Sequence, residues 1–210
     1  MGTRNLTAVV LNGEYKIAQY CQWDGYPTGQ GKTALTFLRD IGVTEQFLTN
    51  LCGCRYGSVD EVKATWNECG ADPNTEWVSM NVGQVHTKKY PELSRDTGAG
   101  ILAIVNERPC MLQDDLAFAQ DSLFCEWAYV VDLDANTLEV YKGFNKRRLA
   151  KGERFAHLQD NDASDKTPGV KATDKYFPIK LLCKFDLGNL PSDEVFFEVI
   201  NSHLPKDEQE

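Results

Sequence analysis

Histidine is scarce in this chain, basic charge is in deficit, and no apolar run approaches the length of a membrane span. Three histidines stand among 210 residues (His86, His157 and His203), none beside a recognised nucleophile motif. A histidine-based triad is thereby left to tertiary contacts, because triads are defined by geometry and not by spacing. Lysine and arginine number 22 against 31 aspartates and glutamates, a formal net charge of −9. That balance argues against a nucleic-acid polymer as partner, since such binding needs a basic surface to displace counterions. It leaves room for a small anionic ligand held by a few local cations. Without about 20 apolar residues in a row, or a basic-then-apolar leader, the expectation is a cytoplasmic protein with no membrane partner. The seven cysteines are an odd number and scattered, which favours reduced thiols over a disulfide framework. Cys52-Gly53-Cys54 has no second pair at zinc spacing behind it and reads as core or helix-end cysteine. The acidic run Asp160–Asp165 lacks a calcium loop's glycine and closing glutamate. No metal and no cofactor are expected.

What is present is an ordinary globular composition, 42% hydrophobic and 25% charged, in 23.6 kDa. This suffices for one sizeable core. We expect a single domain over residues 1–203, a charged surface excursion at 144–175 and an acidic tail at 204–210. Asn12-Gly13 is a strong hairpin signal, because a type I′ turn needs positive φ at both central residues. The implied register sets Val10 opposite Tyr15, Ala8 opposite Ile17, Leu6 opposite Gln19 and Arg4 opposite Cys21. One face would then carry Val10, Tyr15, Ala8, Ile17 and Leu6, and end in Arg4, Gln19 and Cys21.

Further along, Lys32–Ile41 has helical spacing, Thr44 reads as the cap of a second helix, and Ser58-Val59-Asp60-Glu61 fits a capping box. Trp77-Val78 and Val82–Val85 suggest short strands, and Ala99–Asn106 a buried helix. Leu123–Leu133 and Leu138–Tyr141 form a second hairpin, Pro178–Phe185 one more strand, and Pro191-Ser192 opens a last helix. The fold class is therefore α+β, antiparallel sheet with flanking helices.

Candidate chemistry gathers around Trp23–Gly31. Glycines ahead of a helix let backbone amides approach an anion, and Arg4, Asp24, Tyr26, Gln30 and Lys32 could converge there. A tight connection plus an Arg4–Asp24 ion pair is the plainer alternative. Arg95 and Thr97 precede an apolar helix and offer a second such terminus. Glu126 interrupts an apolar strand, where a carboxylate needs a partner such as Arg4 or Arg95. It is either a structural ion pair or a general acid–base group. A threonine near the chain start, followed by strand, Asn-Gly and returning strand, resembles the opening of N-terminal-nucleophile hydrolases. In those enzymes the terminal residue attacks with its own α-amine as base. Their αββα sandwich is the finer fold expectation. Thr3 could act in that way only once Met1-Gly2 are removed.

Gly2-Thr3-Arg4-Asn5-Leu6, Gln19–Gly31, Leu93–Gly98 and Asp121–Tyr129 together resemble a family of small phage and bacterial proteins. Its members open Gly-Thr-Arg-x-Leu and continue Gln-Tyr-x-Gln-Trp-Asp-Gly-Tyr-Pro-x-Gly-Gln-Gly. The likeness runs to about Phe155. That family carries no established activity, so the resemblance implies a phage setting and not a reaction. The expectation built on it is counter-defence by cleaving a nucleotide immune signal without metal. Arg4 would hold the phosphate, Asp24 or Glu126 would move the proton, and Thr3 or a nucleotide hydroxyl would attack. Gln19, Trp23, Tyr26, Gln30, Lys32, Arg95, Thr97 and Trp127 would bind the ligand, a cyclic nucleotide being one form. The alternatives are sequestration without cleavage and amide hydrolysis of the N-terminal-nucleophile type. A homo-oligomer is left open.

Overall fold

In the structure, a computed structural model that describes residues 2–75, 77–159 and 175–206, the chain begins with the expected hairpin. Strands β1 (Asn5–Leu11) and β2 (Glu14–Cys21) meet at Asn12 and Gly13, with φ of 56° and 73°. Both turn amides donate to the Asp134 carboxylate, at 2.8 and 2.7 Å, which fixes the tip against the second hairpin. The register holds for Leu11 opposite Glu14 and Val10 opposite Tyr15, then shifts, so that Val9 faces Ile17 and Ala8 faces Ala18. Lys16 is the extra residue of a bulge, and a one-residue slip turns every later side chain to the other face. Ile17 accordingly packs with Val9 in one core, while Leu6, Ala8 and Val10 lie in a second.

The second hairpin is β5 (Trp127–Asp132) and β6 (Thr137–Lys142), and β7 (Lys180–Asp186) pairs antiparallel beyond it. The five strands run in the order β2-β1-β5-β6-β7, and β1 pairs with β5 in parallel. The sheet is therefore mixed and not purely antiparallel as expected. The long helical stretch between the hairpins permits this, since a crossover of a dozen residues or more can return a strand in the same direction. β5 is shorter than its apolar run because residues before it turn, Cys125 N–H bonding the Asp121 carbonyl at 2.7 Å.

Six α-helices complete the α+β fold among the described residues: α1 (Lys32–Asp40), α2 (Glu45–Gly53), α3 (Val59–Glu68), α4 (Met80–Lys89), α5 (Ile101–Glu107) and α6 (Asp193–His203). Thr44 caps α2, and Ser58 with Glu61 closes the capping box of α3. Helices α1, α2, α5 and α6 cover one sheet face through Leu35, Phe47, Leu102 and Phe196. Irregular segments carrying Leu149, Phe155 and Ile179 cover the other. A separate parallel pair, β3 (Arg55–Tyr56) and β4 (Met111–Leu112), links the ends of α2 and α5. None of the described helices is long and apolar enough to cross a membrane.

Val82–Val85 is helical, in α4, and not strand. Ser79 caps that helix by accepting from Val82 N–H, and Trp77 is left 78% exposed before it. The acidic run Asp160–Asp165, residues 160–174 of the 144–175 excursion and the tail 207–210 lie outside the described residues.

Helices α3 and α4 are joined by a stack of Trp66 on His86, centroids 3.6 Å apart, with Tyr90 beyond at 5.4 Å. His86 is fully buried, and its Nε2 lies 2.9 Å from Thr65 Oγ1. That hydroxyl already donates to the Val62 carbonyl, so the histidine donates to it and leaves Nδ1 without a partner. Burial pushes the imidazole's pKa down, against a smaller upward pull from Glu92, itself paired with Arg108. A base depressed in the folded state is neutral above its unfolded value and costs stability once the unfolded chain protonates. Stability should therefore fall as pH drops below about 6.5, by at most about 1.4 kcal/mol per unit. Urea unfolding between pH 7.5 and 5.5 checks this: His86→Phe should flatten the slope, and an unchanged slope refutes it.

Candidate functional site

The Trp23–Gly31 loop is held by backbone contacts at the end of the sheet where β1 and β5 begin. Gly25 N–H donates to the Thr3 carbonyl at 2.9 Å, and the buried Tyr129 hydroxyl donates to the Gly25 carbonyl at 2.8 Å. Asp24 takes a left-handed φ of 55°, and its carbonyl accepts from Gln30 N–H at 2.8 Å. A Cβ at Gly29 would stand 2.2 Å from that carbonyl, so the loop closes only with glycine there. Pro27–Gly31 forms a π-type turn that runs into α1, and Lys32 N–H bonds the Gly29 and Pro27 carbonyls. The glycines thus serve close chain packing, and an amide that the sequence pattern offered to an anion is spent within the turn.

Beside this loop lies a groove of about 580 Å³. Tyr26, Pro27 and Thr28 form one wall, Glu126, Trp127 and Lys142 the floor, and Phe197, Glu198 and Asn201 of α6 the other wall. Trp127 and Lys142 are directly opposed across β5 and β6, which places the ammonium 5.1 Å from the indole centroid and 4.8 Å from that of Phe144. Arg4 lies 4.7 Å over Phe124, and Glu126 accepts from the Arg4 backbone N–H at 3.4 Å. Tyr26, Phe124 and Phe144 are each about half exposed (54, 46 and 44%). Cations over aromatic faces are each worth about 0.5–2 kcal/mol and present π-surface and positive charge together.

Of the residues singled out in the sequence, Tyr26, Glu126 and Trp127 line this groove, whereas Arg4 meets it only through the bond of its backbone N–H to Glu126, its guanidinium lying over Phe124. Arg95 is exposed, and with Arg4 it pulls down the Tyr20 phenol pKa that burial pushes up. Other candidates are engaged elsewhere. Lys32 pairs with Asp193 at 2.7 Å, Trp23 donates to Asp96 at 2.8 Å, and Gln30 accepts from Ala99 N–H at 2.7 Å. Thr97 donates to the Pro91 carbonyl at 2.5 Å, and Asp24 is exposed on its turn. Thr3 is only 6% exposed. Gln19 is buried and donates to the Ser94 carbonyl at 3.0 Å. The bulge at Lys16 is what parts Gln19 and Cys21 from Arg4, which stays on the face of Leu6 and Tyr20. Asn5, Thr7 and Gln19, side by side on β1 and β2, each keep a buried oxygen without a protein partner.

Sequence reasoning missed Lys142, Phe124, Phe144 and the α6 wall. A lysine closing the aromatic strand Leu138–Tyr141 was the available signal for the first. Nothing local announced that a C-terminal helix would face a loop near residue 26.

A second cavity of about 530 Å³ opens on the opposite sheet face, over Tyr15, Glu139, Tyr141 and Arg154. Glu139 is 1% exposed and accepts from Tyr141 Oη at 2.6 Å, Arg154 Nε at 2.7 Å and Lys184 Nζ at 2.6 Å. Burial pushes its pKa up, but these three donors together bring it below the ordinary carboxylate value. A carboxylate so fully engaged holds the sheet together. Among the described residues no group of three or more histidine, cysteine, aspartate or glutamate side chains could hold a metal ion.

Comparison with known protein families, curated proteins and solved structures finds no match for this chain. The functional reading rests on its own residues.

Proposed function

We propose that the protein binds a small anionic ligand bearing an aromatic ring, of nucleotide type, in the groove between the Trp23–Gly31 loop and α6, and holds it without cleaving it. The observation that carries this reading is the pairing of Lys142 over Trp127 and Phe144 beside the half-exposed Tyr26. A base would stack on the tyrosine while its phosphate meets the ammonium. Binding is favoured over cleavage because the proton carriers and the nucleophile are not assembled. Thr3 is buried, Glu126 leans on the Arg4 amide, and Asp24 stands on an exposed turn. In a phage setting, the task would be sequestration of a nucleotide immune signal, a cyclic nucleotide being the form to try first. Amide hydrolysis on an αββα sandwich would require removal of Met1-Gly2 and an opened Thr3, visible in an intact mass.

The test is incubation of the purified protein with cyclic di- and oligonucleotides, followed by heat denaturation and analysis of the nucleotide. Intact ligand released on heating supports sequestration. New products replace it with hydrolysis, and no interaction with any of them overturns both. Tyr26→Ala should weaken binding by about 10- to 100-fold, as stacking contributes about 1–3 kcal/mol per base.

A further inference from the structure

Two cysteines that play no part in the groove face each other on the small parallel pair. Cys54 follows α2 as its cap, and Cys110 precedes β4. They stand one residue before Arg55 and Met111, which pair directly, and Arg55 N–H donates to the Cys110 carbonyl at 3.3 Å. Opposed residues on neighbouring strands lie about 4.8 Å apart, inside the Cα separation of about 4.4–6.8 Å that a disulfide accepts. Their sulfurs are already 3.9 Å apart, and Cys110 N–H points at Cys54 Sγ at 3.4 Å.

We propose that Cys54 and Cys110 form a redox-active dithiol that a hydroperoxide closes reversibly into a disulfide.

The two thiols are unlike, as such chemistry requires. The hydrogen bond from Cys110 brings the Cys54 thiol down to about 7 against the cost of burial, aided by the Cys110 amide and Arg108, while the same contact pushes Cys110 up. Cys54 is half-buried and is the thiolate of the pair; Cys110 is buried and keeps its proton. The thiolate attacks one peroxide oxygen, the O–O bond breaks, and Cys54 becomes a sulfenic acid while hydroxide leaves and takes up a proton as water. Cys110 then attacks the sulfenic sulfur. The S–S bond forms, the S–O bond breaks, and the hydroxyl departs as a second water with the Cys110 proton. Two thiols lose two electrons and the peroxide gains them. Closure would tie the end of α2 to the strand that follows α5. The other cysteines offer no such pairing: Cys21, Cys69, Cys125 and Cys183 are buried singly, and Cys52 is exposed without a sulfur partner among the described residues.

The experiment treats the full-length protein with hydrogen peroxide, blocks remaining thiols with N-ethylmaleimide under denaturing conditions and maps the peptides by mass spectrometry. The expected result is loss of two of the seven thiols, one cross-linked peptide joining Cys54 to Cys110, and full recovery with dithiothreitol. Seven alkylated cysteines, a different pairing, or oxidation that dithiothreitol does not reverse overturns the proposal. Cys110→Ala adds a readout that packing alone would not move. The pH midpoint for alkylating Cys54 should rise from about 7 toward about 8.5, and peroxide should leave a dimedone-reactive sulfenic acid there. An unmoved midpoint refutes the assignment of Cys110 as donor and partner.

Discussion

Arg154→Met is expected to lower the unfolding free energy by about 3–5 kcal/mol at pH 7, the cost of stranding buried charge. Arg154 bridges Asp132 on β5 and Glu139 on β6, and its side chain is only 18% exposed. Without it, Glu139 keeps Tyr141 and the half-exposed Lys184, and Asp132 keeps the backbone amides of Asp134 and Ala135. Replacing the glutamate as well, Arg154→Met with Glu139→Gln, should recover part of the loss, because the uncompensated charge goes with it. Urea unfolding followed by tryptophan fluorescence measures both, and a loss under about 1 kcal/mol would place the network among weak surface pairs. Acid should act through the same groups. Burial pushes both carboxyls up, but hydrogen bonds, Arg154 foremost among the side chains, leave both pKa values below ordinary. A carboxylate depressed in the folded state stabilises above its unfolded value, near 4, and that contribution disappears as pH falls through the folded value.

Phe196→Ala is expected to cost about 3–5 kcal/mol and to abolish ligand binding in the groove. Phe196 is fully buried, with its ring 4.9 Å from Phe185 on β7 and 5.7 Å from Phe197. Together with Ile200 it seats α6 on the sheet, and α6 supplies a wall of the groove. Val195→Ala, on the exposed side of the same helix, should change stability by less than about 0.5 kcal/mol. Equal losses from the two substitutions would show that α6 is not anchored through Phe196.

The elements that could be read from sequence are those whose cause is local. Asn12-Gly13 bends because of two positive φ angles, and Thr44, Ser58 and Ser192 start helices by accepting the amide three residues on. The failures come from longer range. The hairpin register failed at Lys16, where a bulge exchanges the faces of Ile17, Gln19 and Cys21. Val82–Val85 read as strand because short apolar runs are ambiguous, and the Ser79 cap with the Trp66–His86 stack settles it as helix. For the candidate site, Tyr26, Glu126 and Trp127 were legible as an aromatic turn and an out-of-place carboxylate. Gln30, Lys32 and Thr97 were read as ligands because their partners, Ala99, Asp193 and Pro91, are distant in sequence or carry no pattern.

By itself the sequence determined the α+β class, both hairpins, the starts of α2, α3 and α6, and the acidic balance of the chain. Each follows from backbone geometry, capping or net charge, which act over a few residues or over the whole chain at once. Tertiary structure alone decided that β5 lies parallel to β1, that α6 walls the groove beside Tyr26, and that Cys54 meets Cys110 across 56 positions. Those juxtapositions arise from burying two sheet faces simultaneously, and no window along the chain contains both partners.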